Sequence, residues 1–148
     1  MKEISNRSAT YHFYVDQQFT AGMVLAGSEI KSLREGKASF NDCFCVFHQD
    51  ELFIRNLHIA NYSHGTAYHH DPVRERKLLL TRKELKKLQT KTREKGFTII
   101  PLRIFMSESG FAKIDIGLAR GKKSHDKRES IKEREVKREL SRNKGRED

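Results

Sequence analysis

The chain has 148 residues, with 30 Lys and Arg against 20 Asp and Glu, a formal net charge of +10. That length holds one ordinary domain and excludes two full-sized ones. The charge favours polyanions, nucleic acid first. The longest apolar runs, Leu78 to Leu80 and Thr98 to Leu102, are too short to span a bilayer, and the opening MKEISNRS has neither an apolar signal core nor a myristoylation pattern. The expectation is a soluble cytoplasmic protein with no membrane partner.

From Ala9 to about Leu25 apolar and polar residues alternate, broken at Asp16-Gln17-Gln18, which predicts a hairpin of two strands. Gly27-Ser28 precedes Glu29 to Arg34, where Ile30 and Leu33 fall three apart, Ser28 is placed to cap and Gly36 to stop a short helix. Phe40 to His48 and Leu52 to Ile59, rich in aromatic and β-branched residues around Gln49-Asp50-Glu51, predict a second hairpin. Asn61 to Arg76 has no usable period and contains Gly65, Asp71-Pro72 and three histidines, so it is expected as a long loop. Thr81-Arg82-Lys83-Glu84 is a capping box, followed by Leu85 and Leu88 and closed by Gly96, and predicts a helix whose outer face is basic. That face reads either as solvated decoration or as a binding surface. Phe97 to Met106 and Phe111 to Ala119, around Ser107-Glu108-Ser109-Gly110, predict a third hairpin, with Ala112, Ile114, Ile116 and Leu118 on one face.

Hairpins interrupted by helices, without a βαβ repeat, predict a mainly β domain over residues 1–119, an OB-fold-like closed antiparallel β-barrel with peripheral helices. Residues 120–148 differ in composition. They carry twelve Lys and Arg against seven Asp and Glu, and almost their only apolar side chains are Ile131, Val136 and Leu140. Such a segment cannot bury a core of its own, although many of its residues favour helix, so it is expected to be disordered when free and helical on a polyanionic partner.

No nucleotide-binding glycine loop, metalloprotease helix or nucleophile elbow occurs, and the acids Glu29, Glu35, Asp42, Asp50 and Asp115 fall on different elements. The expectation is a protein that is not an enzyme, with no catalytic residues and no cofactor. Cys43 and Cys45 share one face of a strand, and the clustered histidines His58, His64, His69 and His70 lack metal-ligand spacing, so no metal site is expected. The positive signals are basic: Asn6-Arg7, Lys31 to Arg34 with Lys37, Arg74 to Lys77, and Gly121-Lys122-Lys123. A barrel can gather several of these on one side as a phosphate-binding surface, or the surface is evenly basic. Tyr11, Phe13, Tyr14 and Phe19 read either as base-stacking residues or as core.

Four strings carry a resemblance. They are Asn6-Arg-x-Ala9, then Ala21-Gly22 followed by Gly27-Ser-Glu-Ile-Lys-Ser-Leu-Arg-Glu-Gly-Lys37, then Asp71-Pro-x-Arg-x-Arg-Lys-Leu-Leu-Leu80, and Gly121-Lys-Lys-x-x-Asp-Lys-Arg128. In this order they resemble the SsrA-binding protein (small protein B) family over essentially the whole chain. The resemblance implies a bacterial OB-fold barrel that binds the tRNA-like domain of transfer-messenger RNA (tmRNA, or SsrA RNA) and delivers it to stalled ribosomes for trans-translation, the rescue of the ribosome and tagging of the incomplete polypeptide. It further implies that the tail probes the empty mRNA channel at the decoding centre of the small subunit and folds there as a helix. The partners are then tmRNA and the ribosome, with the protein a monomer when free. Carried over by motif position, the tmRNA-facing candidates are Asn6, Arg7, Gly22, Glu29, Lys31, Ser32, Arg34, Lys37, Lys77 and Leu79. The ribosome-facing candidates are Gly121, Lys122, Lys123, His125, Asp126, Lys127 and Arg128, with Ile131 and Val136 as apolar contacts. Two positions depart from the family pattern: Tyr11, where many members have His, and Thr20, where an acid precedes Ala-Gly. No contact is assigned to Asn61 to His70.

Overall fold

Alternation in the sequence becomes alternation of burial in the computed structural model, which describes residues 3–61, 70–123, 127–128 and 131–138. In β2 (Phe13–Met23) exposed and half-buried residues take turns from Phe13 to Thr20. The chain order is β1 (Ile4–Ser5), α1 (Ala9–His12), β2, α2 (Gly27–Arg34), β3 (Ala38–His48), β4 (Glu51–Ile59), β5 (Arg76–Leu79), α3 (Arg82–Thr92), β6 (Phe97–Met106) and β7 (Ala112–Gly121). The strands run in the order β1-β6-β3-β4-β5-β2-β7, every pairing is antiparallel, and an additional β6–β7 pairing closes six of them into a barrel with β1 outside on β6. Closure removes the exposed sheet edge that a small β protein must otherwise protect. The OB-fold-like barrel expected from the sequence is thus the observed fold.

Both later hairpins form as expected. Gln49 and Asp50 join β3 to β4 with φ of 50° and 63°, the positive values of a type I′ turn. Gly110, at φ 86°, serves the turn between β6 and β7. The expected hairpin across Ala9 to Leu25 does not form. That stretch is the single turn α1 and one long strand, β2, which pairs with β7 and β5 rather than with itself. Asp16 is absorbed as a bulge, because the register against β7 steps from Val15↔Ala119 to Gln17↔Leu118. A polar break in an alternating run marks a bulge as readily as a turn.

Two strands lie outside the sequence expectation. β1 has two residues. β5 falls at the end of the segment expected as loop, and it bridges β4 to β2 and completes the barrel. Its inward-pointing residues are Arg76 and Leu78, so an arginine occupies a core position where a hydropathy pattern demands an apolar residue.

α2 begins at Gly27 with Ala26 as its N-cap, so Ser28 lies inside the helix and not at its cap. The Glu29 carboxylate accepts the Ala26 N–H at 2.9 Å, and Gly36 at φ 74° ends the turn. In α3 the capping box forms, with Thr81 Oγ1 accepting from the Glu84 N–H at 3.2 Å and Glu84 Oε1 from the Thr81 N–H at 3.1 Å. Leu33, Leu88 and the inward residues of the strands, among them Leu52, Ile54, Leu78, Ile104 and Ile114, make one buried core. A smaller cluster of Ala9, Ile100 and Ala119 seats α1 on the barrel, with Phe13 and Val15 against it. Residues 131–138 are helical and exposed throughout.

Candidate RNA interface

α2 owes its position to a buried ion pair. Glu29 and Arg76 are both fully buried. Arg76 Nε and Arg74 Nη2 donate to the two oxygens of the Glu29 carboxylate, while Arg76 also donates to the Leu57 carbonyl at 2.6 Å and the Pro72 carbonyl at 3.1 Å. Burial alone pushes the Glu29 carboxyl up. The hydrogen bonds from Arg74, the Ala26 N–H and Arg76 outweigh it and hold the group below its ordinary value. The helix is clamped at its first turn to the end of β4 and the start of β5. The ring of His70 adds a second tie, contacting Ser28 Oγ at 3.0 Å and the Ile59 carbonyl at 2.7 Å.

Of the ten tmRNA-facing candidates, Glu29 and Ser32 are therefore not on a surface. Both are buried on the side of α2 that meets the barrel, and Ser32 Oγ has no hydrogen-bond partner among the described residues. Their motif positions are structural: Glu29 orients the helix, and a small residue at 32 lets it approach. Lys31 and Arg34, three residues apart, are exposed on the outer face, followed by exposed Lys37, whose Nζ lies 3.0 Å from Glu35.

Gly22, Lys77 and Leu79 meet at the β2–β5 seam. Gly22 is in register with Leu79, and the Val24 N–H donates to the Lys77 carbonyl at 3.0 Å. Leu79 is 51% exposed and Val24 44%, an apolar patch where an added side chain at Gly22 would come within 3.5 Å of Leu79 Cβ and 3.9 Å of Lys113 Nζ. Lys77 Nζ is bound to Glu51 at 2.8 Å. Val24 and Lys113 belong to this patch and escaped the sequence reading, and for Lys113 only the pairing of β2 with β7 brings it beside Gly22.

Asn6 and Arg7 lie apart from these residues in the chain. The Asn6 side chain donates to the Pro101 carbonyl at 2.8 Å and accepts from Ser8 Oγ at 3.1 Å, fixing the connection between β1 and α1. Asn6 and exposed Arg7 line a depression with Ala38, Ser39 and Phe40, directly after Lys37. Asn6 also lines a cavity of about 500 Å³ with His12, Asp42, Gly121, Lys122 and Lys127. It thus joins the α2 side of the barrel to the root of the tail.

At that root Gly121 still pairs with Phe13 in the sheet, two residues past the expected end of the strand at Ala119. The Lys122 N–H donates to the His12 carbonyl at 2.8 Å, and its Nζ donates to the Thr10 carbonyl at 2.7 Å and lies 4.8 Å from the Tyr14 ring. The Lys123 carbonyl accepts from the Lys127 N–H at 3.1 Å. Lys127 and Arg128 are helical, whereas His125 and Asp126 lie outside the described residues. Ile131 and Val136 are 41% and 55% exposed on the helix of 131–138, and Arg134 stands 5.3 Å over the Tyr11 ring. Tyr11 thus offers a π face to a cation. Thr20, the other departure, donates to Asp115 at 2.6 Å, a carboxylate that Arg103 also binds.

No group of three or more His, Cys, Asp and Glu side chains among the described residues can hold a metal ion. Cys43 and Cys45 are free and buried, and burial pushes both thiols up, which leaves them as packing groups rather than nucleophiles. Among the described residues no helix is long and apolar enough to cross a membrane. What the described surface offers is cations beside small exposed apolar patches.

Fold and surface define a basic OB-fold-like barrel of the nucleic-acid-binding class. The chain belongs to the SmpB protein family, whose model matches residues 3–146. It is 51% identical over 139 residues to the SsrA-binding protein of Christiangramia forsetii, covering 94% of this chain and 88% of that one. With the SsrA-binding protein of Parabacteroides distasonis it shares 50% over 140 residues, covering 95% and 92%. Among solved structures, a chain from "tmRNA-SmpB: a journey to the center of the bacterial ribosome" superposes with a TM-score of 0.72 at 42% identity, over 87% of this chain and 94% of that one.

Proposed function

We propose that this chain binds the tRNA-like domain of tmRNA and accompanies it to ribosomes stalled without a stop codon, where trans-translation frees the ribosome and tags the unfinished polypeptide. The observation that carries this reading is the 42% identity and common fold, over 87% of the chain, with a protein solved as tmRNA-SmpB in connection with the bacterial ribosome. The protein works in the cytoplasm by binding and not by catalysis, without a cofactor, and is a monomer when free.

Two surfaces divide the work. Lys31, Arg34 and Lys37 on and after α2, with Lys77, Leu79 and Gly22 at the β2–β5 seam, face tmRNA, supported by Glu29 and Ser32 from within. Asn6 and Arg7 lie between that face and the tail. Residues 1–119 are the tmRNA-binding barrel, and residues 120–148 enter the vacant mRNA channel at the decoding centre. There Gly121, Lys122, Lys123, His125, Asp126, Lys127 and Arg128 meet the ribosome, and Ile131 and Val136 supply apolar contacts. Twelve Lys and Arg in the tail suit it to a channel walled by RNA phosphate.

The test is a titration against the tRNA-like domain of tmRNA and an ordinary tRNA over a range of salt concentrations. Pure charge attraction weakens both complexes alike as salt rises, with a log-log slope of about 0.7 to 0.9 per phosphate neutralised. The expected result is an advantage for tmRNA that persists at high salt. Equal affinities that fall together would replace this reading with that of a general RNA chaperone.

A further inference from the structure

Net charge is unevenly distributed along the chain. Residues 81–96 hold seven Lys and Arg against two Asp and Glu, and residues 120–148 hold twelve against seven, so these two segments carry the whole +10. The remainder is balanced, nine against nine over residues 1–80 and two against two over 97–119. The α2 and β5 residues assigned to tmRNA therefore belong to a part of the chain whose formal charges balance.

Residues 81–96 are α3 with its caps. Leu88 is buried and Leu85 packs on the core, and the exposed remainder of the helix carries two rows of cations. Arg82, Lys86 and Arg93 form one row, and Lys83, Lys87 and Lys91 the other, with a rise of about 6 Å between residues four apart. Of these six, only Lys91 makes an ion pair among the described residues, with Glu94 at 3.5 Å at the helix end. Glu84, the one acid inside the helix, turns back to Thr81. Like charges four residues apart repel one another, a cost that an anionic partner beside them removes.

The helix is rigidly mounted. Gln89 donates to Asp50 at 2.8 Å on the β3–β4 turn, and Lys91 Nζ lies 6.0 Å from the Phe97 ring. It starts at Arg82, with only Leu80 and Thr81 between it and the end of β5, so its first turn lies next along the chain to Lys77 and Leu79. We propose that the outer face of α3 docks the phosphate backbone of tmRNA as an extension of the α2–β5 face. The proposal rests on the function given above. In it the balanced α2–β5 face recognises shape, while α3 supplies the charge that draws the RNA in and holds its backbone.

The test uses the full chain with Lys83→Gln, Lys86→Gln and Lys87→Gln together, substitutions of similar helix propensity, with far-UV circular dichroism to verify the helix. Against full-length tmRNA the log-log salt slope is expected to become shallower by about 2 to 3, and binding at low salt about tenfold to a hundredfold weaker. A second variant adds Glu108→Gln, Glu147→Gln and Asp148→Asn, restoring the net charge outside α3, and is expected to remain as weak as the first. Rescue by the second variant would reduce the effect to net charge and overturn the proposal, as would an unchanged slope in the first. Intact tmRNA binding with lost ribosome association would overturn it too, by making ribosomal RNA the occupant. A wild-type chain with no preference for tmRNA would instead remove the function on which the proposal rests, a result visible before any variant is compared.

Discussion

Glu29 and Arg76 are fully buried, and each neutralises the other in a site where water cannot. Replacing such a pair by apolar residues can be neutral, but removing one partner strands a charge. Glu29→Gln is therefore expected to destabilise the protein by about 3–5 kcal/mol, read as a lower urea midpoint at unchanged slope. The sign of the pH dependence follows from the carboxyl being held below its ordinary value of 4.5. The folded state binds the proton less readily than the unfolded one, so the stability this group contributes is complete above about 4.5 and is lost as pH falls toward the folded value. Wild type should lose stability steeply on that acid limb and Glu29→Gln less so; identical limbs would assign the acid sensitivity to other groups. The motif containing Glu29 was legible in the sequence, but its burial was not, because a carboxylate on a short basic helix looks exposed until β5 brings Arg76 beneath it.

At the scale of elements, bulges shape the barrel. Asp16 is the extra residue of β2 against β7, and Leu102 that of β6 against β7, where the register steps from Pro101↔Ile116 to Arg103↔Asp115. Pro101, which has no N–H to give, sits next to that irregularity. Both bulges converge on Gly117 in β7, where a Cβ would stand 2.9 Å from Val15 Cγ1 and 3.3 Å from Leu102 Cδ1. Gly117→Ala is expected to cost about 1–3 kcal/mol, because the stiff Val15 side chain must give way. Thermal melts should show Val15→Ala relieving part of that loss in the double variant; simple additivity would mean that the two residues do not clash. A third irregularity lies in β3 and β4, where Asp42 and Asn56 adopt φ of 53° and 65° and Asn56 Nδ2 donates to the Asp42 carbonyl at 3.3 Å. Asp and Asn tolerate this left-handed region better than other side chains with a Cβ.

For the whole molecule, the division between barrel and tail has a physical position. Lys122 is tied to α1 through the carbonyls of His12 and Thr10, so the barrel holds the chain beyond Gly121. A chain ending at Lys123 is expected to melt within about 1 °C of the full-length protein and to keep its affinity for the tRNA-like domain, while losing tagging of stalled polypeptides. The small expected shift reflects removal of residues that add nothing to the core. Retained tagging, measured with a reporter message lacking a stop codon, would overturn the two-part mechanism. A large fall in melting temperature would show that the tail helix, which meets Tyr11 through Arg134, contributes to the fold.

The sequence by itself determined the class of the fold, the two later hairpins and both principal helices. Each depends on local chemistry: alternation of side chains, the type I′ turn at Gln49-Asp50, the Thr81–Glu84 box and the stops at Gly36 and Gly96. The sequence also carried the motifs of the site and the separate composition of residues 120–148. Only the tertiary structure decided that Ala9 to Leu25 is a turn of helix and one bulged strand, because whether a polar break turns or bulges depends on the partner strand, here β7. It alone turned the end of the basic run Arg74 to Lys77 into the start of a strand with a buried arginine, and Glu29 and Ser32 from surface candidates into supports. In each case the deciding contact joins residues distant along the chain, which local sequence patterns do not encode.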